Sequence, residues 1–150
     1  MALNRDFVGR TYASSTSYEV SRVKIREFAA AIGDNNPIYR DKEAARAAGH
    51  PDVVAPPTFP IVFTLSGGGE ALADPGLGLN FAMVVHGEQR FEYVRPIYAG
   101  DELVTSSTIT DIRSAGRNEL LTFRSEVRTL AGEHVCTSYN TIVERGGAGS

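Results

Sequence analysis

Between Arg22 and Ile32 the apolar residues Ile25, Phe28, Ala29 and Ile32 recur at helical spacing, so one stripe of the segment faces a core and a helix is predicted over about 22 to 32. Ser21 stands at its cap position. Val20 before that cap and Ile25 four residues beyond it have the spacing of a hydrophobic staple, and Gly33 supplies the left-handed residue that ends the helix. Asp41 then precedes "KEAARAA", a shorter helix closed by Gly49. The most apolar part of the chain, "PDVVAPPTFPIVFTLSGGGEALADPG", reads as a helix capped by Thr58 with Pro60 in its first turn. It is apolar on nearly every side, and burying such a helix requires a sheet that wraps it. Gly67, Gly68 and Gly69 weaken it by roughly 0.8 to 1 kcal/mol each relative to alanine. Either the helix breaks there, or the absent side chains leave room for a neighbouring backbone or a slender ligand.

From residue 82 onward the period changes to two. "RFEYV" alternates Phe91 and Tyr93 against Arg90 and Glu92, and "LTFRSEVRTL" alternates Leu121, Phe123, Ser125 and Val127 against Thr122, Arg124, Glu126 and Arg128. Turn signals at "YAGD", "SAGRN" and "AGE" divide the stretch into four strands, near 82–94, 102–113, 119–130 and 133–143, with connections short enough for antiparallel neighbours. A further strand is expected from about 14 to 20. The pattern is that of an α+β domain in which helices, one of them buried, precede an antiparallel meander.

Composition narrows the function more than the fold. The 150 residues suit a single domain, assigned to residues 1–145, that buries roughly 70% of the surface its unfolded form exposes, so neither a cofactor nor a disulfide framework is needed for folding. A net charge of −3 from interspersed acids and bases offers no footprint for nucleic acid or anionic lipid. Cys136, the one cysteine, falls in a strand-like stretch and reads as a buried thiol, which leaves no disulfide and no cysteine-based zinc site. The N-terminal "MALNRDFVGR" is charged where a signal peptide is apolar, and no apolar run approaches the ~20 residues that span a bilayer, so a cytoplasmic protein is expected. The end of the tail "ERGGAGS", residues 146–150, is expected to be disordered.

The chemistry-bearing stretch is "GDNNPIY", directly after the first helix. A carboxylate, Asp34, is followed five positions later by a second proton-carrying group, Tyr39, with Asn36 and a turn-fixing Pro37 between them. Such spacing suits general acid–base chemistry, but a tyrosine with an unperturbed pKa near 10 is a poor base at neutral pH, where histidine would titrate. The bland reading is a turn in which Asp34 and Asn36 bond their own backbone. Of the histidines, His50 follows a helix end, His86 sits in a strand pattern and His134 lies by a hairpin turn, where exposure is expected. No Ser-His-Asp spacing, phosphate loop or metal-ligand cluster appears.

"GDNNPIY", "VVAPPTF" and "FEYVRPIYAGDEL", in this order and spread over residues 5 to 145, resemble the MaoC-like branch of the hot-dog superfamily, which includes the (R)-specific enoyl hydratases and (3R)-hydroxyacyl dehydratases. The family's Gly-Asp-x-Asn-Pro-aliphatic-His pattern is matched by Gly33, Asp34, Asn36, Pro37 and Ile38, and its catalytic histidine falls on Tyr39. The resemblance implies an antiparallel sheet wrapped around a long central helix, protomers paired edge to edge, and acyl sites at their interface. It implies reversible hydration of a 2-enoyl thioester, carried by ACP or CoA, with Asp34, Asn36 and Tyr39 at the catalytic positions. The thioester carbonyl would be polarised at the N-terminus of the central helix; Pro56 and Pro57 have no N–H there, so Thr58 and Phe59 would supply the donors. Phe59, Phe63, Gly67 and Gly68 would line the acyl tunnel. In the family's mycobacterial dehydratases one subunit keeps the catalytic pair and the other, lacking it, holds the acyl chain; this chain looks most like the second kind. A subunit needing a histidine-bearing partner is therefore expected, with an autonomous homodimeric hydratase using Asp34, or a hot-dog acyl-binding or thioesterase protein, as alternatives.

Overall fold

The computed structural model describes residues 2–146, apart from the surroundings of residues 66 and 67; the tail beyond Gly146 and the lining role expected of Gly67 lie outside what is described. Two short strands open the fold, β1 (Thr11–Ala13) and β2 (Tyr18–Glu19), where the sequence suggests one strand from 14 to 20. The polar run Ser14–Ser17 between them carries no alternating apolar side chains and leaves the sheet. Helix α1 (Arg22–Ala31) follows, its Ser21 hydroxyl accepting the Lys24 N–H at 3.1 Å, and Val20 and Ile25 are fully buried in one core cluster. At its far end Gly33, with φ of +72°, and Asp34 donate backbone N–H bonds to Ala30 and Ala29, the paired closure that a left-handed residue permits. Asp41 caps α2 (Lys42–Ala47) by accepting the Glu43 N–H at 2.9 Å.

The apolar segment is helical but not one long helix. It runs as α3 (Ile61–Thr64), a 3₁₀ turn (Leu65–Gly68) and α4 (Gly69–Ala73). Thr58 does not cap it: the residue is exposed in the preceding turn and Pro60 occupies the cap position without a side-chain bond. The change of winding falls at the glycines, and the space at Gly68 is taken by the Phe123 ring, whose Cζ would lie 2.9 Å from an added Cβ. The ring of a neighbouring strand, not a second backbone, thus occupies that position.

Four long strands complete the chain: β3 (Val84–Tyr93), β4 (Glu102–Ala115), β5 (Asn118–Thr129) and β6 (His134–Glu144). All pairings are antiparallel, in the order β1-β4-β5-β6-β3, with β2 also on β4. The last three long strands form the expected meander, whereas β3 pairs with β6 rather than with its sequence neighbour β4 and ends as the sheet's edge. The crossover from β3 to β4 is pinned by Arg95, which donates to both oxygens of Asp101 at 2.9 and 3.0 Å and to Glu133 at 2.7 Å.

The inner face of the sheet packs on the helical segment through two apolar clusters. One holds Phe59, Phe63, Leu103, Val127 and Cys136; the other holds Ala71, Ile109, Leu121, Phe123 and Ile142. Between them the inward positions of three strands are serine: Ser107, Ser125 and Ser138 are all buried. The Cys136 thiol is buried as expected, and burial pushes its pKa up to about 12. No helix among the described residues is long and apolar enough to cross a membrane.

Candidate functional site

The end of α1 fixes where Asp34 begins, and the following turn fixes where its carboxylate points. Asp34 Oδ1 accepts the Asn36 N–H at 3.1 Å, and Asn36 Oδ1 accepts the Ile38 N–H at 3.2 Å, capping a 3₁₀ turn over Pro37–Tyr39. Both residues therefore do make the local bonds that turn chemistry predicts. Asp34 nevertheless remains only half-buried with its second oxygen unbonded by any described residue, while Asn36 is exposed and held in its capping bond.

Tyr39 is drawn inward by the same turn. It is 7% exposed, it belongs to the main apolar cluster, and its hydroxyl has no hydrogen-bond partner among the described residues. Burial first, and then the nearby Asp34 carboxylate, raise its pKa above the ordinary phenol value. At neutral pH it is a hydrogen-bond donor and not a base. The ring borders an apolar pocket of about 310 Å³ with Ile38, Val54, Ala55, Pro57 and Tyr93. One wall exists because residues 53–55 run against 97–99, with Ala55 N–H on the Ile97 carbonyl at 2.8 Å; the other because Tyr93 donates its hydroxyl to the Pro57 carbonyl at 2.7 Å.

The turn before α3 is poor in free donors. Pro56, Pro57 and Pro60 have no N–H, and Phe59, expected to offer one, donates it to the Pro56 carbonyl at 2.8 Å. Ile61, Val62 and Phe63 donate to Thr58, Phe59 and Pro60 in turn, so the helix satisfies its own first donors in 3₁₀ fashion. Among the described residues of this turn, Thr58 has the one N–H without a backbone partner.

The other predicted residues sit elsewhere. Phe59 is fully buried against Phe28, with ring centroids 5.5 Å apart, and Phe63 stacks on Tyr18 at 4.9 Å beside a separate cavity of about 280 Å³ under residues 13–18. Gly68 backs onto Phe123 and a small inner cavity. The structure thus sets Asp34, Asn36 and Tyr39 in one turn, but of the three only Tyr39 lines the apolar pocket, and Phe59, Phe63 and Gly68 lie away from it. None of the three histidines lines the Tyr39 pocket: His50 meets the Tyr98 hydroxyl at 3.4 Å, and His86 bonds the Glu88 carbonyl. His134 is half-buried rather than exposed, because its ring bonds Thr137 at 2.9 Å and the Cys136 carbonyl at 3.1 Å. Among the described residues no group of three or more His, Cys, Asp or Glu is arranged to hold a metal. Sequence reading missed the Arg95–Asp101–Glu133 clamp and the buried serine row; the signal for the second was Ser125 standing in phase with Leu121, Phe123 and Val127.

Comparison with known proteins agrees with this geometry. Residues 6–138 match the family described as the FAS1-like dehydratase domain region. A UPF0336 protein of Thermobifida fusca is 57% identical over the whole of this chain and 99% of its own. Among solved structures, the C-terminally truncated HadBC (3R-hydroxyacyl-ACP dehydratase) complex of Mycobacterium tuberculosis superposes with a TM-score of 0.84 and 26% identity, covering 94% of this chain and 99% of that one. A MaoC-like dehydratase superposes at 0.86 with 33% identity over 93% of this chain, which spans 42% of that longer protein. The match over residues 6–138, the 57% identical relative and the superpositions together show that the chain belongs to the FAS1-like dehydratase family as a MaoC-like hot-dog protein.

Proposed function

We propose that this chain is the acyl-holding subunit of a (3R)-hydroxyacyl-thioester dehydratase and needs a histidine-bearing MaoC-like partner for turnover. The observation that carries the reading is Tyr39: a buried, unbonded phenol on the wall of an apolar pocket, at the position where the family motif has its base. Dehydration requires one group to take the α-proton and another to protonate the departing hydroxyl. Asp34 offers acceptor oxygens and Tyr39 a phenol that stays protonated, so the pair lacks the imidazole that the family motif supplies as base.

The turn before α3 supports the same conclusion. Polarising the thioester carbonyl calls for aligned donors, each worth about 10²–10³ in rate, and here Thr58 offers a single one. A pocket with donors and apolar walls but without a base can hold the head of an ACP- or CoA-borne thioester without reacting with it. The structural relative named as a dehydratase complex supports a paired assembly. So does β3, an edge strand along which, with the turn leading into it, Phe81, Met83, Val85, Tyr93 and Val94 are exposed.

The test is an assay of the purified chain with crotonyl-CoA and a longer enoyl-CoA. No turnover is expected from the chain alone, and turnover is expected when a MaoC-like subunit carrying both Asp and His is added. Hydration by the lone chain that vanishes in Asp34→Asn would overturn the proposal in favour of an autonomous hydratase.

A further inference from the structure

Three side chains on the wall of the Tyr39 pocket carry polar atoms, and two of them are committed elsewhere. Tyr93 donates its hydroxyl to the Pro57 carbonyl at 2.7 Å, and Arg95 gives its guanidinium to Asp101, to Glu133 and to the Pro96 carbonyl. The third, Tyr39, is a donor with nothing to donate to. The backbone carbonyls of the two wall residues beside it are already taken, Pro57 by Tyr93 and Ile38 by the Val54 N–H at 3.0 Å. Its oxygen is not sealed in, either. Among the described residues, the buried side-chain polar atoms that lack a partner and lie out of solvent's reach are Gln89 Oε1 and Asn140 Oδ1. The phenol oxygen of Tyr39 has no partner but stays accessible, and the space its ring borders is the pocket.

From this arrangement we infer that the Tyr39 phenol is the group that takes the carbonyl oxygen of the bound thioester, a task for which the turn before α3 has few N–H groups left; the inference rests on the acyl-holding role proposed above. A half-buried donor without an acceptor is a place where a ligand's acceptor gains a hydrogen bond at little cost in lost water. Every acyl thioester brings one such acceptor, whatever its chain, and the remaining walls of Ile38, Val54, Ala55 and Val94 suit the hydrocarbon next to it. The acceptor has to be neutral. A free carboxylate in the same place would lie close to Asp34, whose charge already acts on the phenol, and would find Arg95 shared between two carboxylates. Burying a charge without a partner is far costlier than burying a carbonyl. The site thus selects the thioester over the free acid, and it does so with a side chain that holds its proton across the neutral range.

Calorimetric titration of the full chain with hexanoyl-CoA and with S-hexyl-CoA, the thioether that lacks the carbonyl oxygen, tests this. The thioester is expected to bind about threefold to tenfold more tightly, the range one net hydrogen bond supplies. In Tyr39→Phe that preference is expected to vanish. The variant removes a hydroxyl that has no partner in the protein, so it should fold, which thermal melting checks; Tyr39→Leu replaces it if it does not. Infrared difference spectra of hexanoyl-CoA labelled isotopically at the carbonyl should show a lower stretching frequency in the unaltered chain than in the folded variant, a change that altered packing alone does not produce. Equal affinity of the two ligands for the unaltered chain would overturn the inference, leaving a phenol that bonds water, and would not touch the acyl-holding role. A preference that persists in the folded variant would assign the oxygen to another donor, such as the Thr58 N–H, and overturn it as well. Failure of both ligands to bind would remove the acyl-holding role and the inference with it.

Discussion

Tyr39 decides at the scale of one residue what this site can do. Its phenol is held neutral by burial and by Asp34, so the sign of the pH effect is fixed. A raised acid pKa keeps the donor form, and the stability of burying it, fully present below the unfolded value near 10, with loss only as pH climbs through the higher folded value. Acyl-thioester binding is therefore expected to be flat from pH 6 to 9, measured by titration at constant ionic strength. Tyr39→His would place a group of ordinary pKa near 6.5 beside the carboxylate. The lone chain is then expected to gain crotonyl-CoA hydration about tenfold to a hundredfold above background. That is toward the low end of the ~10²–10⁴ typical of a positioned base, because Thr58 offers the one free N–H of the turn. No gain in a folded Tyr39→His chain would show that the site lacks more than a base. Glu119 carries a second, independent pH effect. Fully buried, it is held by Arg5, by Ser114 and by the Leu3 N–H at 2.8 Å, and Arg5 foremost lowers its pKa to about 2. A lowered carboxyl pKa means stability that is complete above about 4.5 and is lost as pH falls toward 2, worth about 3 kcal/mol by linkage. Glu119→Gln should flatten the melting temperature over that interval.

At the scale of elements the helical segment is where sequence and structure part. Its apolar character and its burial under a sheet were readable from composition all round the helix; its division into α3, a 3₁₀ turn and α4 was not, because glycine permits a break without dictating one. What dictates it is Phe123, far along the chain on β5, whose ring fills the place of a side chain at Gly68. The two neighbouring glycines should then respond oppositely to alanine. Gly68→Ala drives a Cβ to 2.9 Å from a buried ring and should cost about 1–3 kcal/mol of overpacking against at most ~1 kcal/mol of helix propensity gained. Gly69→Ala meets nothing within 4 Å and should stabilise by about 0.5–1 kcal/mol. Chemical denaturation of both variants checks the pair. The first helix was legible because every local signal agreed, from the Ser21 cap to the Gly33 closure. The candidate site was half legible: Asp34 and Tyr39 announced themselves by spacing, whereas the Phe59 N–H was lost to a turn bond that no periodicity reveals.

For the molecule as a whole, sequence and structure part at the order of the strands, where a four-strand meander is expected and β3 departs from it. Short connections favour sequence neighbours as sheet neighbours, and three of the four long strands comply; β3 does not, because the crossover from 94 to 101 is clamped by Arg95 across the sheet's end. The result is an edge strand ten residues long that carries exposed apolar side chains, the arrangement that natural sheets blunt unless it is meant to pair. A bulge at His86–Glu88 interrupts it once, and the Arg90–Glu92 pair places charge on its outer face, yet Val94 remains 66% exposed and Phe81, in the turn leading into it, 69%. Pairing of this edge with a second hot-dog protomer would cover those residues, and the apolar pocket beside Tyr39 would gain a further wall there, since Tyr93 and Val94 line both. Val85→Lys and Val94→Glu should therefore weaken association of the chain with a hot-dog partner in sedimentation equilibrium and weaken acyl-thioester binding together. Val23→Lys, at an exposed apolar position on α1, should change neither. If the β3 variants leave both assembly and affinity intact, the edge is not the seam, and the pocket must close by some other surface.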